Sequence, residues 1–205
     1  MIGNTLRTML RYAITNRSLY DGTETYRRES LVREARRWAA EGIDFIQVRE
    51  KDLNAGELVI LAHQIVAAVR DTNAVTRVLV NSRLDIAIPA GAHGVHLTSA
   101  PGELTPAQVR QLFPTAVVSI SCHTLQEVRR AKGMGAEIIL FGPVFGKRAN
   151  GVEVMRGNGL GALRDASSIA EVFALGSVTP GDIASCSRAG AIGTAGIRLY
   201  SIQAT

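Results

Sequence analysis

Short apolar runs recur eight times along the chain, each followed by a polar or glycine-containing turn and then by a helix-like pattern. The runs are Tyr12–Thr15, Phe45–Val48, Val78–Val80, Gly94–Leu97, Val117–Ile120, Ile138–Phe141, Val172–Leu175 and Ala191–Ala195. Between them the periodicity predicts helices over Glu29–Glu41, Ala55–Asp71, Ser82–Ala90, Pro106–Phe113, Leu125–Met134, Gly161–Ser168 and Pro180–Arg188. Three helix starts carry a capping signal: Thr105 precedes Pro106, Thr124 stands three residues before Glu127, and Thr179 precedes Pro180. A hydroxyl there accepts from helix N–H groups that otherwise lack partners. Strands joined through helices pair in parallel by right-handed crossovers. Two architectures satisfy that rule, a doubly wound open sheet and a closed (β/α)8 TIM barrel. Eight repeats in 205 residues, with reactive side chains at strand C-terminal ends, favour the barrel. Only ten residues follow Ala195, so the eighth helix is expected to be short or incomplete. No linker or composition shift divides the chain, and residues 1–205 read as one domain.

The net charge of +5 and pI near 9.7 raise the question of nucleic acid. The basic residues are dispersed, however, as pairs such as Arg27-Arg28, Arg36-Arg37 and Arg129-Arg130 in helix-like segments. There is no recognition helix, RNA-binding aromatic motif or basic tail, so no nucleic-acid partner is expected. An anionic metabolite fits the charge equally well. Cys122 and Cys186 lie far apart and form no CxxC pair, which argues against a metal knuckle or redox motif. Met1–Leu10 lacks an apolar run long enough for a secretory signal, and no stretch approaches the ~20 apolar residues of a membrane helix. The expectation is a cytoplasmic protein with reduced thiols and no membrane partner.

The second strand runs into Gln47-Val48-Arg49-Glu50-Lys51, and alternation puts Gln47, Arg49 and Lys51 on one face. Cations and an amide converging at a barrel mouth are costly when dry and unpaired, a cost that an anionic ligand relieves. A solvated strand end is the alternative. The third strand ends at Asn81-Ser82-Arg83, with Asn81 able to hydrogen-bond a ligand and Arg83 able to pair with Asp85. His96, within a strand, reads as a packed, hydrogen-bonded core residue. His123 ends the fifth strand directly before a helix, where barrel enzymes place catalytic groups. Imidazole both gives and takes protons near neutrality; the alternative is that His123 caps or packs the turn. One His123–Glu127 pair is too little for a metal centre, and none is expected. The sixth strand leads into a long loop over Gly146–Gly159, which reads as a lid whose Lys147 and Arg148 can close over an anion. Glycines at the seventh and eighth strand ends, Gly176-Ser177 and Gly196, let backbone N–H groups and the following helix dipole approach a phosphate. Tight turns alone would also explain them.

The order and spacing of Tyr12–Thr15, Gln47–Lys51, Asn81–Asp85, Gly94–Leu97, Ser119–His123, Phe141–Phe145, Ala174–Gly176 and Gly190–Ala195 resemble the thiamine phosphate synthase superfamily over nearly the whole chain. The resemblance implies a TIM barrel acting on a phosphorylated thiazole in thiamine biosynthesis. Two activities share that scaffold. The synthase joins a pyrimidine diphosphate to thiazole phosphate with magnesium, and its members carry aspartates where this chain has Ser82 and Pro101. Glu103 is a nearby carboxylate but is discounted as a substitute. The second, the TenI-type thiazole tautomerase, lacks those aspartates, and there the histidine matching His123 is the acid/base residue. It also resembles this chain over Leu79–Ile88 and Ser121–Glu127. On these grounds a metal-independent, cofactor-free isomerase is expected first, with His123 catalytic. Gln47, Arg49, Lys51, Asn81 and Lys147 would hold the substrate, and Gly176, Ser177, Gly196 and Arg198 its phosphate. The alternatives are the magnesium-dependent synthase, whose diphosphate pattern Gln47, Arg49 and Lys51 match well, and a non-catalytic phosphometabolite-binding barrel. Barrels of this family often pair, so a homodimer is anticipated.

Overall fold

The computed structural model describes residues 9–98, 100–149 and 152–202. Eight parallel strands close into a barrel. They are β1 (Leu10–Ile14), β2 (Phe45–Val48), β3 (Arg77–Asn81), β4 (Gly94–Leu97), β5 (Val117–Cys122), β6 (Ile138–Phe141), β9 (Val172–Leu175) and β10 (Gly193–Gly196). The last two are the seventh and eighth barrel strands, and β10 pairs with β1 to complete the ring. The helices are α1 (Glu24–Ala40), α2 (Ala55–Arg70), α3 (Leu84–Ala87), α4 (Pro106–Leu112), α5 (Leu125–Gly133), α6 (Gly159–Ile169) and α7 (Ile183–Arg188). None of the described helices is long and apolar enough to cross a membrane.

Strand alternation sorts the apolar residues into two layers. Tyr12, Ile14, Leu79, Leu140, Phe173 and Ala195 fill the barrel interior. Tyr12, Phe45 and Phe173 meet there at ring separations of 5.8 to 5.9 Å. The opposite faces, with Ile46, Val48, Val78 and Val80 on one side and Val118, Ile120 and Ile139 on the other, pack under the helices.

The sequence expectation differs from the structure at α1, at α3 and in the 146–159 loop. Helix α1 starts at Glu24, not Glu29, because Thr23 accepts from the Tyr26 N–H and Arg28 ties Glu24 to Glu57. Helix α3 is one turn, since Ser82 adopts a positive φ of 53° that no helix accommodates. The loop expected over 146–159 contains an antiparallel hairpin, β7 (Lys147–Ala149) with β8 (Val152–Met155). After β10 no α-helix forms among the described residues, in keeping with the short or incomplete eighth helix expected. The chain after β10 instead docks on α1: the Trp38 indole and Arg37 donate to the Tyr200 carbonyl at 2.8 and 2.7 Å, and buried Glu34 accepts from the Ile202 N–H.

Candidate active site at the barrel mouth

The upper interior of the β2–β5 side is polar. Buried Gln47 donates to Asn81 Oδ1 at 2.9 Å, and its own Oε1 has no partner among the described residues. Asn81 sits in register with His96, and His96 with Ser119. His96 is locked by two hydroxyls, Ser119 on Nδ1 at 2.8 Å and Ser121 on Nε2 at 2.9 Å, with the Tyr12 hydroxyl 3.4 Å from Nδ1. Burial, reinforced by the Arg49 charge, pushes the imidazole down to about 3, so it stays neutral. It is the packed, hydrogen-bonded histidine that its strand position suggests.

The rim between β1 and β2 is built on an arginine that sequence reasoning missed. The Arg17 guanidinium bonds Glu24, Glu50 and Asp52 at 2.7 to 3.1 Å, and Thr15 donates to Glu50 at 2.7 Å. Arg17 holds the Asp52 carboxyl below the usual carboxylate range. This lattice fixes the direction in which Arg49 and Lys51 leave β2. Neither of those cations has an acidic partner among the described residues; Arg49 is half-buried and Lys51 exposed. Lys147 opens β7, exposed, and the structure brings it into contact with none of them. The Arg148 side chain lies outside the described residues. Arg83 pairs with Asp85 at 2.6 Å and is not part of the mouth cluster.

Across the mouth, His123 follows β5. Its Nδ1 lies 2.6 Å from the Gly142 carbonyl. A carbonyl only accepts, so Nδ1 carries a proton, and Nε2 has no partner among the described residues. The turn itself is pinned: Glu127 accepts from the His123 N–H at 2.6 Å, and the Asn158 amide donates to the His123 carbonyl at 3.0 Å. Gly176 packs directly behind Gly142–Pro143. Its φ is +99°, and an added Cβ would lie 2.5 Å from Pro143 Cα, so no other residue fits. His123, Pro143 and Gly176 are therefore successive neighbours.

The N–H groups of Gly176, Ser177 and Ile197 find no acceptor among the described residues, which makes the turns after β9 and β10 receptive to an anion. Only a single 3-10 turn (Pro180–Asp182) and the six-residue α7 follow β9, and Asp182 already accepts from the Thr179 N–H and hydroxyl there. No helix follows Gly196 among the described residues. Arg198 is exposed and makes no side-chain bond to either turn.

At the ends of β3 and β4 stands a carboxylate that the sequence reading discounted. Glu103 Oε2 accepts from the Ser82 hydroxyl at 2.9 Å and from the Thr98 hydroxyl at 3.0 Å, and Oε1 has no partner among the described residues. Among the described residues no three His, Cys, Asp or Glu side chains gather as a metal centre. Cys122 faces the helices, where burial pushes its thiol up to about 12.

A family profile described as "Thiamine monophosphate synthase" matches residues 12–199. The chain is 33% identical over 191 residues to the "Putative thiamine-phosphate synthase 2" of Aquifex aeolicus, covering 92% of this chain and 96% of that one. It is 36% identical over 163 residues to the thiamine-phosphate synthase of Anaeromyxobacter dehalogenans, covering 78% and 71%. Among solved structures, the thiamine phosphate pyrophosphorylase from Pyrococcus furiosus superposes with a TM-score of 0.78 at 22% identity, over 97% of this chain and 91% of that one. At that identity the superposition speaks for the fold.

Proposed function

The chain belongs to the thiamine monophosphate synthase family, and on that premise we propose that it is a transferase joining hydroxymethylpyrimidine diphosphate to thiazole phosphate. One observation carries this reading: two anion-receptive regions lie at the barrel mouth, cationic Arg49 and Lys51 beyond β2 and free N–H groups beyond β9 and β10. A condensation of two phosphorylated substrates needs both. As the new bond to the thiazole forms, the carbon–oxygen bond to diphosphate breaks, and the leaving group's charge develops where Arg49 and Lys51 stand. Gln47 and Asn81, already bonded to each other, would orient the pyrimidine diphosphate, and Gly176 and Ser177 the thiazole phosphate.

Magnesium, when bound, neutralises a diphosphate leaving group. This ion is commonly held by one or two carboxylates together with substrate phosphates. Glu103 supplies one such carboxylate with Oε1 unengaged, so the residues fit it minimally despite Ser82 and Pro101. The similarity to thiamine-phosphate synthases and this carboxylate favour the transferase over the isomerase expected from sequence.

A second reading, the thiazole tautomerase, is favoured by one feature. The Gly142 carbonyl fixes the His123 tautomer, leaving Nε2 ready to accept a proton. Purified protein given both substrates and magnesium separates the two. Formation of thiamine phosphate, with His123→Gln retaining activity within about threefold, supports the transferase, since a residue that only lines the site costs little of the ~10²–10⁴ that a general base supplies. No condensation at saturating substrate, together with isomerisation of thiazole carboxylate phosphate that falls ~100-fold in His123→Gln, overturns it for the tautomerase.

A further inference from the structure

We infer that Arg27 belongs to the substrate-binding machinery, completing with Arg49 and Lys51 a cavity that binds a diphosphate group.

A cavity of about 270 Å³ opens between the ends of β1 and β2 and is lined by Arg27, Arg49, Lys51 and Asn16 together with the Arg17–Glu50–Asp52 lattice. Divided by the ~30 Å³ that each water occupies in the liquid, the space holds roughly nine water-sized groups; a diphosphate has about as many non-hydrogen atoms. Four cations line it against two carboxylates, and both carboxylates are spent on Arg17. Arg27, Arg49 and Lys51 are left with no acidic partner among the described residues.

Nearby arginines are treated differently. Arg17 bonds three carboxylates, and Arg28, the next residue along, bonds Glu24 and Glu57. Arg27 is half-buried, its Nε is buried without any partner, and it sits in the first turn of the seventeen-residue α1, beside the Thr23 cap. A cation at a helix N-terminus opposes the helix dipole, and a buried donor left unbonded is costly. An anion in the cavity removes both penalties. Three uncompensated cations in so small a space select for a ligand carrying several negative charges, which a diphosphate does and a single carboxylate does not. Arg27 comes from a helix rather than from a strand end, and so adds a specificity contact outside the Gln47–Lys51 segment.

The inference rests on the reading that a substrate's diphosphate enters between β1 and β2, but not on which bond is then made. Titration calorimetry of the full chain with inorganic diphosphate tests it, comparing wild type with Arg27→Gln and Arg27→Lys and using thiazole phosphate as the control ligand. The expected result is binding weakened about tenfold by Arg27→Gln and less by Arg27→Lys, as loss of a charge-assisted bond implies, with thiazole phosphate affinity unchanged. Equal diphosphate affinity in wild type and Arg27→Gln overturns it, as does a wild type that does not bind diphosphate. A chain that shows this pattern yet makes no thiamine phosphate would defeat the proposed reaction and leave the Arg27 site standing.

Discussion

His96 is an imidazole held uncharged inside the barrel by Ser119, Ser121 and its own burial, and that has a measurable consequence. Its folded value of about 3 lies below the ordinary 6.5. As pH falls through 6.5 the unfolded chain takes up a proton there and the folded chain does not. The stability this group contributes is therefore intact above about pH 6.5 and is lost progressively toward pH 3, at up to ~1.4 kcal/mol per pH unit. Burial also lowers His93, which acts in the same direction, so the comparison must be between wild type and His96→Gln. Between about pH 6 and 5 the carboxylates that Arg17 and Arg28 hold low remain ionised, which keeps the window clean. Urea unfolding should show wild type losing about 1 kcal/mol more than the variant over that unit. Parallel pH profiles would mean that His96 is charged in the folded protein. At this same scale His123 differs in kind: one nitrogen is committed to Gly142 and the other is uncommitted, which suits chemistry rather than packing.

At the scale of elements, the segment after β10 docks on α1. Tyr200 anchors it twice, its carbonyl on Trp38 and Arg37 and its hydroxyl on the Thr194 side chain and carbonyl at 2.6 and 3.1 Å. Tyr200→Phe removes the hydroxyl bonds beside buried Thr194 and should cost about 1 kcal/mol in urea unfolding with an unchanged denaturant slope. An unaltered midpoint would show that the segment does not brace the barrel. This docking was not legible in sequence, because its bonds join positions more than 160 apart. The strands were legible for the opposite reason, since apolar runs declare themselves locally. The start of α1 was not, because Glu24–Arg28 is charged and shows no apolar period, its order coming from the Thr23 cap and from Glu57 on another helix. The Arg17 lattice was hidden likewise, each of its bonds to Glu50 and Asp52 spanning more than thirty residues. The Glu103–Ser82 bond was not legible, since distance along the chain says nothing of the turn that brings the carboxylate back. Gln47, Asn81 and His123 could be placed because a barrel turns strand order into position at the mouth.

For the whole molecule, closure of the sheet sets the β2 rim and the β9–β10 turns on one mouth, with β1 paired to β2 on one side and to β10 on the other. The Arg27–Arg49–Lys51 cavity and the Gly176, Ser177 and Ile197 N–H groups share no residue. Two ligands that occupy separate regions stabilise the folded state independently. Each at about a hundred times its dissociation constant adds ~2.7 kcal/mol. For a chain of this size that is roughly 5–10 °C in Tm. Thermal unfolding with inorganic diphosphate alone, thiazole phosphate alone and both together therefore measures the arrangement of the mouth directly. Separate regions predict a combined shift close to the sum, roughly 10–20 °C on the same scale. A combined shift equal to the larger single one means that both anions compete for one place, and the mouth then holds one phosphorylated molecule at a time. That outcome would favour isomerisation of a single substrate over condensation of two, so a measurement without turnover bears on which reaction the barrel performs.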